Sequence, residues 1–230
     1  MSEHIRRYVQ AVYGLDAVVQ RTAQDQWQNP SPCDGWVALD VIVHNALSFQ
    51  MFANMARGTP AAVPAPPDGS GVPAPSDDGH VFDANVLASA SRLPAEYSAD
   101  PISCWNRDRD DLIAALDDPG VGELRTHSPW GETDMDTWLS FAVWDPIVHT
   151  WDLAEAVDQP TVVDSRLCEL ALSAARTFDA EHNLRRPGVA AAEVHASSAD
   201  AVERLLRFAG RDLSWRDRRG FVPPHEDPAR

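Results

Sequence analysis

The strongest signal in the chain is the run DPIVHTWDLA at residues 145–154. The run is typical of a helix, and it places Asp145 and His149 four residues apart. Side chains at this spacing lie one turn apart on the same helix face. A carboxylate and an imidazole presented in this way can bind one metal ion from two sides, so the run predicts part of a metal site.

A second apolar run supplies a third candidate ligand. The segment VIVHNA at residues 41–46 places His44 inside a helix predicted over about 37–57. A histidine alone on an apolar face is more often a core residue than a ligand, but the Asp145 and His149 pair favours the ligand interpretation. Two such segments predict a helical bundle with a metal site in its core.

Composition limits the partners of this chain of 230 residues, which suits a single domain. The formal net charge of −16 argues against nucleic acid or an anionic membrane as a partner. We expect a small-molecule substrate, and a homodimer stays open. Three widely spaced cysteines without a C-x-x-C pair indicate a reducing compartment. Residues 1–10 lack the apolar run of a signal peptide, so we expect a cytoplasmic protein.

Apolar periodicity predicts further helices, and Pro and Gly mark the connections between them. The predicted helices cover residues 4–22, 82–93, 101–116, 136–157, 164–182 and 199–209. Residues 58–80 are rich in Pro and Gly, which predicts a long loop, either on the surface or serving as a lid. Residues 121–135 are turn-rich, with a possible hairpin around Trp130-Gly131. One domain over 1–215 and a flexible tail over 216–230 complete the predicted organisation.

Pro146 lies in the middle of the predicted helix 136–157, whose helical pattern is the strongest after that of residues 4–22. Its ring nitrogen cannot donate to the carbonyl of Ala142, so we expect a kink directly beside Asp145.

Three segments, taken in order, resemble the DinB-like superfamily. They are PSPCDGWVALDVIVH at 30–44, SPWG at 128–131 followed by 145–154, and residues 199–215 with RLL at 204–206 and GRD at 210–212. Within that superfamily the chain is similar to the N-terminal domain of mycothiol-dependent maleylpyruvate isomerase and to the related short metal-binding proteins. The resemblance covers nearly the whole chain.

The resemblance implies an all-α, four-helix bundle with a divalent metal on His44, Asp145 and His149. It implies zinc, with nickel as an alternative that the same ligands accept. It also implies a thiol-dependent transferase or isomerase, in which mycothiol is the cosubstrate and the metal stabilises its thiolate. Two alternatives stay open: metal-assisted hydrolysis or another Lewis-acid reaction of a small metabolite, and a non-catalytic metal-binding protein.

Supporting roles remain open among residues near these ligands. Asp152 could orient His149 or act as a base, although a cap or salt bridge is the commoner role of such a residue. His80 and His127 lie in predicted loops, and either could be a mobile acid or base at the metal. Asp40 could hold the free ring nitrogen of His44 or simply stabilise its helix N-terminus.

Packing is the expected role of the cysteine and the tryptophans in these motifs, which are Cys33, Trp36 and Trp151. An anionic thiol would also need an arginine near the metal. The candidates are Arg57, Arg107, Arg109 and Arg125.

Overall fold

The computed structural model describes residues 1–58, 95–128, 131–185, 190–195 and 197–218. Most of these residues are helical, which confirms the all-α prediction. The helices are α1 (Glu3–Val19), α2 (Ala38–Ala56), α3 (Ala95–Ala99), α4 (Pro101–Leu116), α5 (Met135–Ala142), α6 (Trp144–Ala156), α7 (Ser165–His182), α8 (Ala201–Phe208) and α9 (Trp215–Arg218). The strands β1 (Arg125–Ser128) and β2 (Gly131–Asp134) pair in antiparallel fashion, at the position of the expected hairpin.

Four helices form the bundle. Helix α1 packs on α6 and α4, and α2 packs on the same two helices from the other side. Each helix turns an apolar stripe inward, and burial of these stripes is the main force that holds the bundle together. The largest fully buried side chains of the four bundle helices include Tyr8, Leu15, Leu39, Ile42, Phe49, Trp105, Leu112 and Leu116.

Helices α5, α7 and α8 cover the α1 and α6 side of the bundle, whereas α3 packs on α4 and α2. Helix α5 packs on α1 and α7, and α8 packs on α7 and α6, so the C-terminal segment returns to the bundle. Residues 216–218 of the predicted flexible tail belong to helix α9, and the rest of that tail lies outside the described residues. Arg216 holds α9, because its guanidinium pairs with Glu155 at 2.9 Å and donates to the carbonyl of Ala154.

Helix starts follow the capping signals in the sequence. The side chains of Ser2, Asp100, Asp134, Asp164 and Asp200 each accept a backbone N–H of the first helical turn. The predicted helix 101–116 has the observed bounds of α4, where Pro101 occupies the first turn after its Asp100 cap.

The predicted helix 136–157 is two helices. Helix α5 ends at Ala142 and α6 begins at Trp144, so Val143 separates them. This arrangement places Pro146 in the first turn of α6, where a backbone N–H would have no intrahelical partner to lose. The predicted helix 82–93 and all of the predicted loop 58–80 after Gly58 lie outside the described residues.

Among the described helices, none is long and apolar enough to cross a membrane.

Gly210 offers a test of how the C-terminal segment is held. Its φ is +80°, and an added Cβ would lie 2.6 Å from Cβ of Ala191. We expect Gly210→Ala to lose about 2–4 kcal/mol of unfolding free energy, from the left-handed backbone and the overlap together. Urea denaturation measures the loss.

Gly120→Ala is the matched control, since Gly120 has a φ of +89° and nothing within 4 Å of the added Cβ. It should lose only the backbone cost of about 1–2 kcal/mol. Equal losses in the two variants would contradict the close packing at Gly210.

Candidate metal centre

The structure brings the three predicted ligands together. His44 lies in α2, Asp145 in the first turn of α6, and His149 one turn later. Nε2 of His44 lies 3.4 Å from Oδ2 of Asp145, and Nε2 of His149 lies 3.4 Å from Oδ1 of the same carboxylate. All three ligand atoms lie within 4.8 Å of one another, so the two helices converge on one point.

These distances suit an ion better than they suit direct hydrogen bonds. Ligands about 2.1 Å from a tetrahedral ion lie about 3.4 Å from one another. The two nitrogen–oxygen distances of 3.4 Å match that edge, whereas a strong N–H···O bond is about 2.9 Å long. Two imidazoles and one carboxylate are also the donor set that zinc prefers in open sites. The residues present therefore fit a divalent metal.

Exposure is uneven around the three ligands. His149 is buried, while His44 and Asp145 are half-buried, so the site is reached from the side of these two residues. The half-buried Trp36 lies beside both imidazoles, with ring centroids 5.2 Å from His44 and 6.0 Å from His149. Trp36 is therefore a wall of the site rather than only a core aromatic, whereas Trp151 is buried as expected.

Electrostatics keep the central carboxylate ionised. Burial opposes the charge of Asp145, but the neighbouring His149 and His44 outweigh burial and hold the pKa of that carboxyl well below its usual range. Burial likewise opposes protonation of His149, but the negative charge of Asp145 outweighs burial and raises the pKa of His149. Burial and then the charge of Asp145 raise the pKa of Tyr8, so this buried phenol stays neutral beside the site.

A second group of side chains lies behind His149. Asp152 is fully buried, and its Oδ2 lies 2.9 Å from Nδ1 of His149, in a contact too oblique to be a well-aligned hydrogen bond. Arg211 donates to both carboxylate oxygens, from Nε at 2.8 Å and from Nη2 at 2.7 Å. Asp152 is thus an ion-paired neighbour of a ligand, which agrees with the orienting role better than with a free base.

Cys33 completes this second group. Its thiol donates to Asp152 at 3.3 Å and accepts from Nη2 of Arg211 at 3.4 Å. Burial, then the Asp152 charge, raises the pKa of the Cys33 thiol, so it is neither a ready nucleophile nor a thiolate ligand. Cys33, His149 and Asp152 also have metal-like spacing, but the Arg211 guanidinium already fills the cation position there.

The other candidates lie elsewhere or outside the described residues. Asp40 accepts the backbone N–H of Val37 at 2.8 Å, which is the helix-terminus role. His127 lies in β1 opposite Glu132, and His80 is not among the described residues, so their catalytic roles stay predictions. The four arginines proposed for anion binding pair with other carboxylates: Arg57 with Asp111, Arg107 with Glu96 and Asp108, Arg109 with Asp16 and Asp110, and Arg125 with Glu132.

Sequence reasoning missed Arg211 and the position of Cys33. Both residues lie in segments that carry the DinB-like resemblance, residues 30–44 and 199–215. In the sequence, each is an isolated residue within its motif. Neither lies at a helical spacing from a candidate metal ligand, so the sequence does not connect them to the site.

Comparison with known proteins agrees with this geometry. Residues 9–154 match the model of the mycothiol maleylpyruvate isomerase N-terminal domain. The chain belongs to this family. The matched region contains the three candidate ligands of this DinB-like, metal-binding family together with Cys33 and Asp152, whereas Arg211 lies beyond its end.

Relatives among curated proteins extend the similarity further along the chain. Two uncharacterized proteins of Mycobacterium tuberculosis, from strains CDC 1551 and H37Rv, are each 25% identical over 199 residues. The matched residues cover 86% of this chain and 91% of each relative. No solved structure matches the chain.

Metal content tests the three-ligand site. Wild-type protein loaded with zinc and desalted should retain close to one equivalent, and His149→Ala and His44→Ala should retain almost none, because each removes one of three donors. Elemental mass spectrometry measures the content. His4→Ala is the control, since His4 pairs with Asp136 rather than with the cluster. Full retention by His149→Ala would remove this site from consideration.

Proposed function

We propose that the protein is a divalent-metal-dependent enzyme that acts on a small molecule with a thiol cosubstrate, as a transferase or isomerase. The observation that carries this proposal is the half-open cluster that His44, Asp145 and His149 form among the described residues. Three protein donors with an accessible side are the pattern of a catalytic zinc site, whereas a structural site has four donors and is closed. Zinc is the metal that we propose first, and nickel is the alternative.

Charge at the site favours an anionic partner. In the cluster described above, Asp145 and Asp152 are ionised, Arg211 is cationic, and the thiol of Cys33 is neutral. With neutral histidine ligands this group carries one net negative charge, so a divalent ion would leave one net positive charge. When bound, such a metal supplies Lewis-acid chemistry: it lowers the pKa of a thiol or a water in its open positions.

The surrounding residues have separate tasks in this proposal. Trp36 offers a flat apolar face beside both imidazoles, and such a face can pack against the organic part of a substrate and exclude water. Tyr8 is a neutral phenol near Asp145, so it can donate a hydrogen bond without adding charge. Asp145 carries the negative charge that offsets the metal.

Family membership supports the choice of thiol. The matched family is named for mycothiol maleylpyruvate isomerase, and mycothiol is therefore the cosubstrate that we propose. The three cysteines are unpaired in the structure, and this state fits the reducing cytoplasm in which a thiol cosubstrate would work.

Cobalt substitution tests thiol binding directly. Addition of mycothiol to the cobalt-loaded protein should produce a sulfur-to-cobalt charge-transfer band and change the visible ligand-field bands, because the thiolate enters the open side of the site. Optical titration measures both changes. The control is the same ligand with the thiol methylated, which cannot form a thiolate.

Loss of the band would redirect the proposal. If the spectrum of the cobalt-loaded protein does not change when mycothiol is added but does change with pH, the result would indicate that water binds the metal. That result would support the hydrolase alternative. A protein with no spectral response to either would favour the non-catalytic metal-binding alternative.

A further inference from the structure

We propose that Arg211 is a positioning residue for the metal site, acting through Asp152 on His149. The ligand site would then depend on a C-terminal segment that lies outside the family domain of residues 9–154. This inference rests on the proposed function, since it concerns how the protein holds a metal.

Arg211 and Asp152 form a two-pronged pair. The two donors of Arg211 lie 2.8 and 2.7 Å from the two oxygens of Asp152, so the plane of the carboxylate follows that of the guanidinium. Asp152 is 0% exposed, so in the folded protein Arg211, and not bulk water, compensates its charge. Removal of one partner would leave a buried charge uncompensated, so the carboxylate would have to turn or take up a proton.

His149 presents its two nitrogens to two different carboxylates. Nε2 faces Asp145 and the candidate ligand position, while Nδ1 lies 2.9 Å from Asp152. Although this contact is oblique, the negative charge of Asp152 beside Nδ1 favours the tautomer with the proton on that nitrogen. That tautomer leaves the Nε2 lone pair free for a metal. Asp152 can hold this arrangement only while Arg211 fixes the direction of its oxygens.

The segment that carries Arg211 is itself held closely. The backbone N–H of Arg211 donates to the carbonyl of Leu206 at 2.9 Å, and Nη1 of Arg211 donates to the carbonyl of Ala209 at 3.1 Å. Gly210, in the left-handed conformation, lies against Ala191 and Ala192, since an added Cβ would come within 2.6 Å of the first and 2.9 Å of the second. The guanidinium therefore meets Asp152 from a fixed direction.

Cys33 extends the same network to the other ligand helix. It lies in the loop before α2, and its thiol contacts both Asp152 and Arg211. The network thus joins the loop that precedes His44, the helix that carries Asp145 and His149, and the C-terminal segment. A shift of Arg211 would loosen the contact among all three.

Arg216 offers a matched control on the same segment. It too attaches the C-terminus to α6, by pairing with Glu155 and donating to the carbonyls of Ala154 and Gln159. Those partners lie at the C-terminal end of α6 and in the turn after it, away from the turn that carries His149. Loss of Arg216 should loosen the segment without reaching the ligands.

The experiment measures zinc affinity by chelator competition on the full chain, together with unfolding of the metal-free protein. Arg211→Gln should weaken zinc binding tenfold to a hundredfold, the range typical of residues that orient a ligand histidine. Arg211→Lys should fall between this variant and wild type, because a lysine keeps the charge but loses the two-pronged geometry. Arg216→Gln should bind zinc as wild type does, even if its unfolding midpoint falls.

If Arg211→Gln fails to fold, Asp152→Asn tests the same contact. Asp152→Asn keeps the shape of the side chain, leaves no buried carboxylate to be neutralised, and should weaken zinc binding by the same tenfold to hundredfold. Folded Arg211→Gln or Asp152→Asn protein with wild-type zinc affinity would overturn the proposal, as would equal weakening in Arg216→Gln.

The tautomer of His149 in the zinc-loaded wild-type protein tests the proposal independently of zinc affinity. Long-range ¹⁵N correlation spectra of the zinc-loaded protein should show His149 ligated through Nε2, with the proton on Nδ1 and sensitive to Arg211→Lys. Ligation through Nδ1 would overturn the inference. A wild-type chain that binds no zinc would instead mean that the proposed function had failed, and the affinity series separates these two results.

Discussion

Helix α6 must carry two ionised carboxylates and an imidazole inside the protein, and the rest of the site follows from that constraint. An isolated charge in an apolar interior is strongly unfavourable, so each of these groups needs a partner of opposite charge or a hydrogen bond. Asp152 obtains a guanidinium from beyond the end of the family domain. Asp145 faces two imidazoles, and a divalent ion between the three would complete its compensation.

The two carboxylates differ because they meet different surroundings. Asp152 is saturated by Arg211 and the Cys33 thiol on an enclosed side, where it can only hold its neighbours in place. Asp145 stands one turn from His149 on a half-open side beside Trp36, where a small molecule can enter. Helix α6 therefore places the supporting carboxylate of Asp152 about two turns from the candidate ligand carboxylate of Asp145. His149 lies between them and directs one ring nitrogen toward each.

Proline 146 contributes to this arrangement through the backbone. Because it cannot donate to Ala142, the long apolar run divides at Val143, and α6 starts afresh at Trp144. Asp145 then lies in the first helical turn, where the N-terminal end of the helix dipole favours a negative charge. The kink expected beside Asp145 is thus a helix start, and it places the carboxylate of Asp145 where His44 of α2 lies 3.4 Å away.

The sequence alone predicted the all-α class, most of the described helices and the three candidate ligands His44, Asp145 and His149, whose ligand atoms the structure brings within 4.8 Å of one another. These properties depend on spacings within one helix or on motifs within one segment, and short-range spacing is visible in any sequence. The partnership of Arg211, Asp152 and Cys33, and the place of Trp36 against both imidazoles, could not be obtained in this way. Arg211 lies 59 residues from Asp152 and 178 from Cys33, so only the packing of the C-terminal segment onto α6 decides which of the many arginines neutralises the buried carboxylate. The spacing of side chains along one helix can be read directly from the amino-acid sequence. The choice of a charge partner instead depends on which distant segments the folded core brings within about 3 Å of one another.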